Sequence, residues 1–346
     1  MAQKKSLFFR VARLILLLVC AVYILWTAIK LGKDFSLKQI ELVFSWLLLA
    51  FPLSLLGLYL QFRAWWALVE ESSYEGQQEL RKNQSELAAL SLYLASQLAR
   101  YTPGKVGLPA LRIAGAPQVG LPRTIVAASI LRELVSWLSV GVLISCLSLA
   151  LLSKESLVEL CKLLPLSLPT WSFRGLSLIL AFLVAVLLRA LTRPLSKQPA
   201  WLLRAFEGRS SQASDKQMSR EDLEDLPTSL LMHQGLLNRQ TYGFHAVYWL
   251  SLIATGTCVA LSLKTSLVSA LVSAAALPIA ILGGFFALFA PGGVGIREAI
   301  LASLSHPFLG ATLALTFSLL LRMISLGAEV SLYLCVRLYL KYQQRQ

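Results

Sequence analysis

Apolar runs as long as a bilayer is thick constrain this chain more than any other feature. "LILLLVCAVYILWTAI" (14–29) and "IVAASILRELVSWLSVGVLISCLSLALL" (125–152) are two of them. About 20 apolar residues in a helix cross the hydrocarbon core. Within lipid every backbone N–H and C=O must be paired inside the protein, so a spanning segment is a helix or part of a closed barrel. Barrel strands are short and alternate in polarity, whereas these runs are continuous. With 56% of its 346 residues apolar and 14% charged, the chain reads as an all-α polytopic membrane protein forming a single transmembrane domain, 1–346.

Eight hydrophobic segments can be placed along it. Six are full spans, at roughly 11–31, 41–62, 122–152, 172–193, 243–263 and 308–337. The basic start is read as leading into a retained first span, because no small-residue cleavage site follows the apolar run. The other two segments, 86–121 and 265–306, read as broken, re-entrant hairpins. Pro103-Gly104 interrupts the first; Pro278, Gly283-Gly284 and "PGGVG" (291–295) interrupt the second. Segment 265–290 is also long enough to cross fully. A polar loop, 194–240, has the composition of a mobile segment.

The two breaks resemble each other. "YTPGKVG" (101–107) and "FAPGGVG" (289–295) share aromatic-x-Pro-Gly-x-Val-Gly. Each precedes an apolar helix with an embedded arginine: Pro103 to Arg132 is 29 residues, and Pro291 to Arg322 is 31. A duplication is inferred, with repeat 1 at about 41–152 and repeat 2 at about 243–340. The net charge of +14 would suggest nucleic acid in a soluble protein. Here the basic residues fall between apolar segments, so no nucleic-acid partner is expected and membrane topology explains the charge. Cytoplasmic termini leave only Lys30, Lys33, Lys38, Lys154, Lys162, Arg174 and Lys264 outside, with Arg132, Arg297 and Arg322 in the membrane; the rest of the 32 Lys and Arg are cytoplasmic. In a bacterium that membrane is the inner one. The two hairpins then enter from opposite sides, an inverted repeat of the kind transporters use.

Non-helical backbone at membrane depth must be buried in protein or line a wet cavity. The glycines of both motifs (Gly104, Gly107, Gly292, Gly293, Gly295) permit sharp turns and close approach. A helix restarting after each motif leaves N–H groups and a positive dipole end, a ready anion site, and Pro109 suits the opening turn of the first. Lys105 and Arg112 flank one restart and Arg297 the other; a bound phosphate would account for cations there, and so would Glu298. The competing reading is two tight turns with internally paired arginines. Arg132, Glu133, Arg322 and Glu329 lie in apolar helices, where each charge costs about 2.5–3.5 kcal/mol at the centre of a span, so they should face inward and pair. Arg322 and Glu329, seven apart, share a helix face. Tyr101, Pro103 and Pro291 complete the candidate binding set.

Other residues carry less. Trp65 and Trp66 are expected as interfacial anchors, and His306-Pro307 as a helix boundary. Cys20, Cys146, Cys161, Cys258 and Cys335 are scattered, and His233, His245 and His306 lack ligand spacing, so no disulfide framework, metal or cofactor is expected. No catalytic signature such as GxSxG, HExxH or a Walker A motif is present.

"LQFRAWWALV", "YTPGKVGLPALR", "ILREL" and "FAPGGVGIREAIL" resemble the lysylphosphatidylglycerol synthase transmembrane-region, or flippase-like, family, over roughly 10–340. "PGGVGIRE" is the most specific piece. In that family this region is similar to the flippase half of the multiple peptide resistance factor, without its synthase domain. The resemblance implies a lipid translocase moving an anionic or aminoacylated phospholipid, or a lipid-linked intermediate, between leaflets. Its partners would be phospholipid headgroups. Two alternatives remain at this stage: an integral-membrane transferase acting on a lipid phosphate, and a non-transporting partner of a lipid-synthesis enzyme docking through the 194–240 loop.

Overall fold

The computed structural model describes residues 41–73, 86–102, 106–151, 170–191, 238–287 and 290–343. The first expected span, Pro103, Gly104, Lys105 and nearly all of the 194–240 loop lie outside them. Regular structure among the described residues is entirely helical, in the order α1 (Phe44–Ser73), α2 (Glu86–Ala99), α3 (Gly107–Gly115), a 3-10 turn (Ala116–Val119), α4 (Arg123–Leu151), α5 (Thr170–Leu191), α6 (Arg239–Ser262), α7 (Leu267–Ala275), α8 (Leu277–Phe286), a 3-10 turn (Pro291–Gly293) and α9 (Ile296–Gln343). Five stretches are long and apolar enough to cross a membrane: Phe44–Glu71, Arg123–Ala150, Arg239–Ser262, Leu267–Phe286 and Ile296–Gln343.

Helices α1 and α6 run antiparallel. The Val43 N–H donates to the Ser262 carbonyl at 2.8 Å, and Lys264 pairs with Glu41 beside it. Further along, Thr241 Oγ1 donates to the Ala64 carbonyl at 3.2 Å. Asn238 caps α6 by accepting from the Gln240 N–H at 2.7 Å, the side-chain cap that an exposed helix start favours. An apolar core of small and branched residues, among them Val259, Ala274, Leu277 and Phe317, joins α6 to α7, α8 and α9. An aromatic core of Phe62, Trp65, Trp66 and Tyr93 joins α1 to α2.

Trp65 and Trp66 are therefore not interfacial anchors. Trp65 is fully buried and Trp66 is 5% exposed. The reason is polar satisfaction: a buried indole needs a partner for its N–H. Trp65 Nε1 donates to Ser129 Oγ at 2.9 Å and Trp66 Nε1 to Glu70 at 2.9 Å. The expected break at Gly283-Gly284 is also absent; both residues lie inside α8. Their role is close approach. A Cβ on Gly284 would lie 3.0 Å from Arg297 Cβ, and one on Gly293 would lie 2.9 Å from the Gly284 carbonyl oxygen. Glycine facing glycine presses α8 onto the 291–293 turn. The break expected at Pro278 is real and separates α7 from α8 at Ala276. The boundary expected at His306-Pro307 holds to within a few residues: two helical limbs of α9 meet there in a kink, where Gly310 takes φ 74°, ψ 167°, a conformation open essentially to glycine alone.

Truncating a fully buried tryptophan costs about 3–5 kcal/mol. Trp65→Ala should lower stability by that order in a denaturant titration of the detergent-solubilised chain. An interfacial anchor would leave the midpoint unmoved.

Candidate functional site

Tyr101, which precedes the first proline-glycine motif, packs on the turn of the second. A Cβ at Gly292, which has φ 60°, would run into the Tyr101 ring, so only glycine at that turn lets the aromatic of the first motif pack on the backbone of the second. The Arg322 guanidinium lies 5.1 Å from the Tyr101 ring centroid and the Arg100 guanidinium 5.3 Å, within cation–π range. Arg322 Nη2 also donates to the Gly292 carbonyl at 3.4 Å. Beside this junction lies a cavity of about 370 Å³, walled by α1, α2, α3, α4, α6, α8, the 291–293 turn and α9.

Its charged lining is four arginines, Arg100, Arg112, Arg297 and Arg322, against two carboxylates, Glu133 and Glu329. Arg112 is fully buried. Its Nη1 donates to Glu133 at 2.5 Å and its Nε to Ser96 Oγ at 2.9 Å. The guanidinium stands 4.3 Å from the Tyr93 ring centroid and 5.0 Å from that of Trp65. The Tyr93 hydroxyl donates to the second oxygen of Glu133 at 2.8 Å. Arg112 Nη2 has no hydrogen-bond partner among the described residues. Glu329 pairs with Arg100 and accepts from the Tyr101 hydroxyl at 3.2 Å.

Glu298 stands just outside the lining. It accepts from the Gly295 N–H at 2.7 Å and lies 3.7 Å from Arg322, an ion pair too long for a hydrogen bond. Gly295, Ile296, Arg297 and Glu298 occupy the N-cap to N3 positions of α9. A glutamate at N3 reaching back to the N-cap N–H is half of a capping box. This corrects the expectation of an open anion site at that helix start: a carboxylate tethered three residues away already fills it. The first restart, α3, has its Gly107 N–H bonded to Thr102 Oγ1 at 3.2 Å.

Arg297 differs from the other arginines of the cavity. It makes no ion pair or hydrogen bond among the described residues; the charges nearest in effect are Arg322 and Arg100, which repel it, and Glu298, which attracts it. Of the expected site residues, Arg112, Glu133, Gly292, Arg297, Arg322 and Glu329 line the cavity. Tyr101 packs on Gly292 and Gly293 on Gly284, Glu298 bonds the Gly295 N–H, and Gly107 opens α3. Pro291 belongs to the same turn. Arg132 does not join them; it pairs with Glu71 at 2.7 Å. Glu329 pairs with Arg100 and Arg322 stands 3.7 Å from Glu298, so the two do not pair with each other. Arg100, Gln61 and Gln97 were not expected. Arg100 had a signal in its place beside "YTPG"; the two glutamines had only the rarity of an amide in an apolar helix.

Removing one partner of a buried ion pair strands the other at a cost of about 3–5 kcal/mol, whereas replacing both with apolar groups is often neutral. Glu133→Gln should therefore destabilise the chain by that order in a denaturant titration. The double variant Arg112→Met with Glu133→Leu should recover most of the loss; equal loss in both would show that the pair is not what the site depends on.

Residues 11–330 match the family model described as lysylphosphatidylglycerol synthase TM region. No curated protein and no solved structure matches the chain. With the matched segment spanning most of the sequence and helices long enough to cross a bilayer in place, the chain belongs to the lysylphosphatidylglycerol synthase transmembrane-region family, integral membrane proteins related to lipid metabolism or transport.

Proposed function

We propose that this chain is a lipid translocase that takes the phosphate of an anionic headgroup into the cavity beside the 291–293 turn. The observation that carries the reading is Arg297, a cation lining the cavity without a counter-ion among the described residues. A cation held at low dielectric beside other cations favours an incoming anion, and a guanidinium meets a phosphate through strong charge-assisted hydrogen bonds. The rest of the lining suits the other end of a lipid. Leu58, Leu108, Leu134, Leu252, Ile281 and Phe285 give the cavity apolar wall that the first carbons of acyl chains can follow.

Movement between leaflets would come from rocking of the two repeat-related halves. The bend at Pro307–Gly310 is the natural pivot, because it separates Arg297 on one limb of α9 from Arg322 on the other, and the long Arg322–Glu298 contact is the one such a motion breaks at least cost. The site operates in the cytoplasmic membrane, with both termini cytoplasmic. A transferase acting on a lipid phosphate would need a carboxylate free to act as base; the two glutamates lining the cavity are each held by an arginine, which favours translocation.

A hydrogen bond to a charged group contributes about 1.5–3 kcal/mol, so Arg297→Ala should slow transfer of a fluorescent phosphatidylglycerol in proteoliposomes by about 10- to 100-fold. Arg297→Lys should retain part of the rate. Undiminished transfer by a folded Arg297→Ala protein would remove the proposed role of the cavity.

A further inference from the structure

Among the described residues three carboxylates stand at or beside the cavity, and they are not alike. Both oxygens of Glu133 accept hydrogen bonds, from Arg112 and from the Tyr93 hydroxyl. Both oxygens of Glu329 do so from Arg100 and the Tyr101 hydroxyl. A proton arriving at either group has to displace a donor. Glu298 is engaged on one side only. Its Oε2 accepts from the Gly295 N–H at 2.7 Å, while its Oε1 is buried with no hydrogen-bond partner among the described residues. The charge that balances Oε1 is the Arg322 guanidinium, whose Nε lies 3.7 Å away across the kink of α9.

That guanidinium has other claims on it. Arg322 lines the cavity with Arg297, and its Nη2 donates to the Gly292 carbonyl at 3.4 Å. Glu298 Oε1 and the Gly292 oxygen therefore flank one guanidinium, and neither contact is close. The other charged and titratable groups nearby do not replace it. Glu329, on the far limb of α9, is like in charge, and it is tied to Arg100 at the end of α2. Tyr101 lies against Arg322, and Tyr248 on α6 interacts with Arg297 and Arg100. Helices α7 and α8 carry no titratable side chain. Arg297 is adjacent to Glu298, and adjacent helical side chains diverge.

Building on the proposed phosphate site, we infer that Glu298 is a proton site coupled to it: the bound anion draws Arg322 away, and Glu298 Oε1 takes up a proton from water. The cause is charge balance. A charge-assisted guanidinium–phosphate hydrogen bond is stronger than an ion pair too long to be one. A carboxylate left buried without a counter-ion takes a proton rather than stay charged. The new O–H needs an acceptor, and the Gly292 carbonyl loses its donor in the same movement. When the headgroup leaves, Arg322 returns and the proton goes back to water. Anion and proton thus bind together, each favouring the other by the same factor. The form that changes sides carries a phosphodiester anion and a proton, a movement without net charge. The occupied form holds more protons than the empty one, so affinity rises as pH falls through the range in which the empty form has Glu298 ionised.

The test is calorimetric titration of the full purified chain with short-chain phosphatidylglycerol, in buffers that differ in protonation enthalpy. The native chain should take up about one proton per lipid bound, and its affinity should rise by up to about tenfold for each unit the pH falls. Glu298→Gln keeps the acceptor for the Gly295 N–H and stands for the protonated form. It should take up no proton and bind at every pH as tightly as the native chain does at low pH. Native binding without proton uptake would overturn the inference. So would uptake that persists in Glu298→Gln, which would assign the proton to Glu133 or Glu329. A second measurement needs no variant. In proteoliposomes of the native chain a pH gradient should drive fluorescent phosphatidylglycerol toward the alkaline side, and a membrane potential should not. Transfer driven by the potential and indifferent to the gradient would overturn joint passage. Absence of lipid binding at any pH, or binding that Arg297→Ala leaves intact, would overturn the phosphate site itself, a separable failure.

Discussion

Charge in a low-dielectric interior must be balanced, and the balance here is incomplete. A lone ion in such a place is costly enough that proteins pair it or place it where function needs it. This bundle pairs Arg112 with Glu133, Arg100 with Glu329 and Arg132 with Glu71, and sets Arg322 loosely against Glu298. Arg297 is left over at the cavity wall. The pairing of its neighbours keeps the cavity from being a general cationic sink and, among the described residues of its lining, confines the unspent positive charge to one guanidinium.

Packing of bare backbone makes that arrangement possible. Two glycines of one turn, Gly292 against Tyr101 and Gly293 against α8 at Gly284, let helices from distant parts of the chain approach closely enough to share the charge network. Glu298 closes the start of α9 and holds Arg297 at the second helical position, one residue before it in sequence. Since adjacent helical residues diverge in direction, the glutamate can cap the helix while the arginine beside it lines the cavity. "PGGVGIRE" thus encodes a turn, a cap and a cavity-lining cation within eight residues.

Much of this was legible in the sequence, and the reasons are physical. The helical membrane architecture followed from the length of the apolar runs, and the importance of "YTPG" and "FAPGGVGIRE" from the intolerance of lipid for broken helices. What was not legible depended on three-dimensional neighbours. Trp65 and Trp66 sit where an apolar run meets polar residues, as interfacial anchors do, and only the presence of Ser129 and Arg112 shows why Trp65 is buried. Arg322 and Glu329 share a face, yet each found a nearer partner on another element. Gly283-Gly284 looked like a break because the sequence cannot show the glycine turn that packs against it. Gln61 carried no pattern; its meaning comes from the cavity beside it.

An electron cryomicroscopy map of the full chain in nanodiscs containing phosphatidylglycerol bears most directly on the unbalanced arginine. The Tyr101 ring should pack on Gly292 at the depth of the acyl chains, with lipid phosphate density within about 3 Å of the Arg297 guanidinium. A protein carboxylate bonded to Arg297, with the cavity closed to lipid, would contradict it.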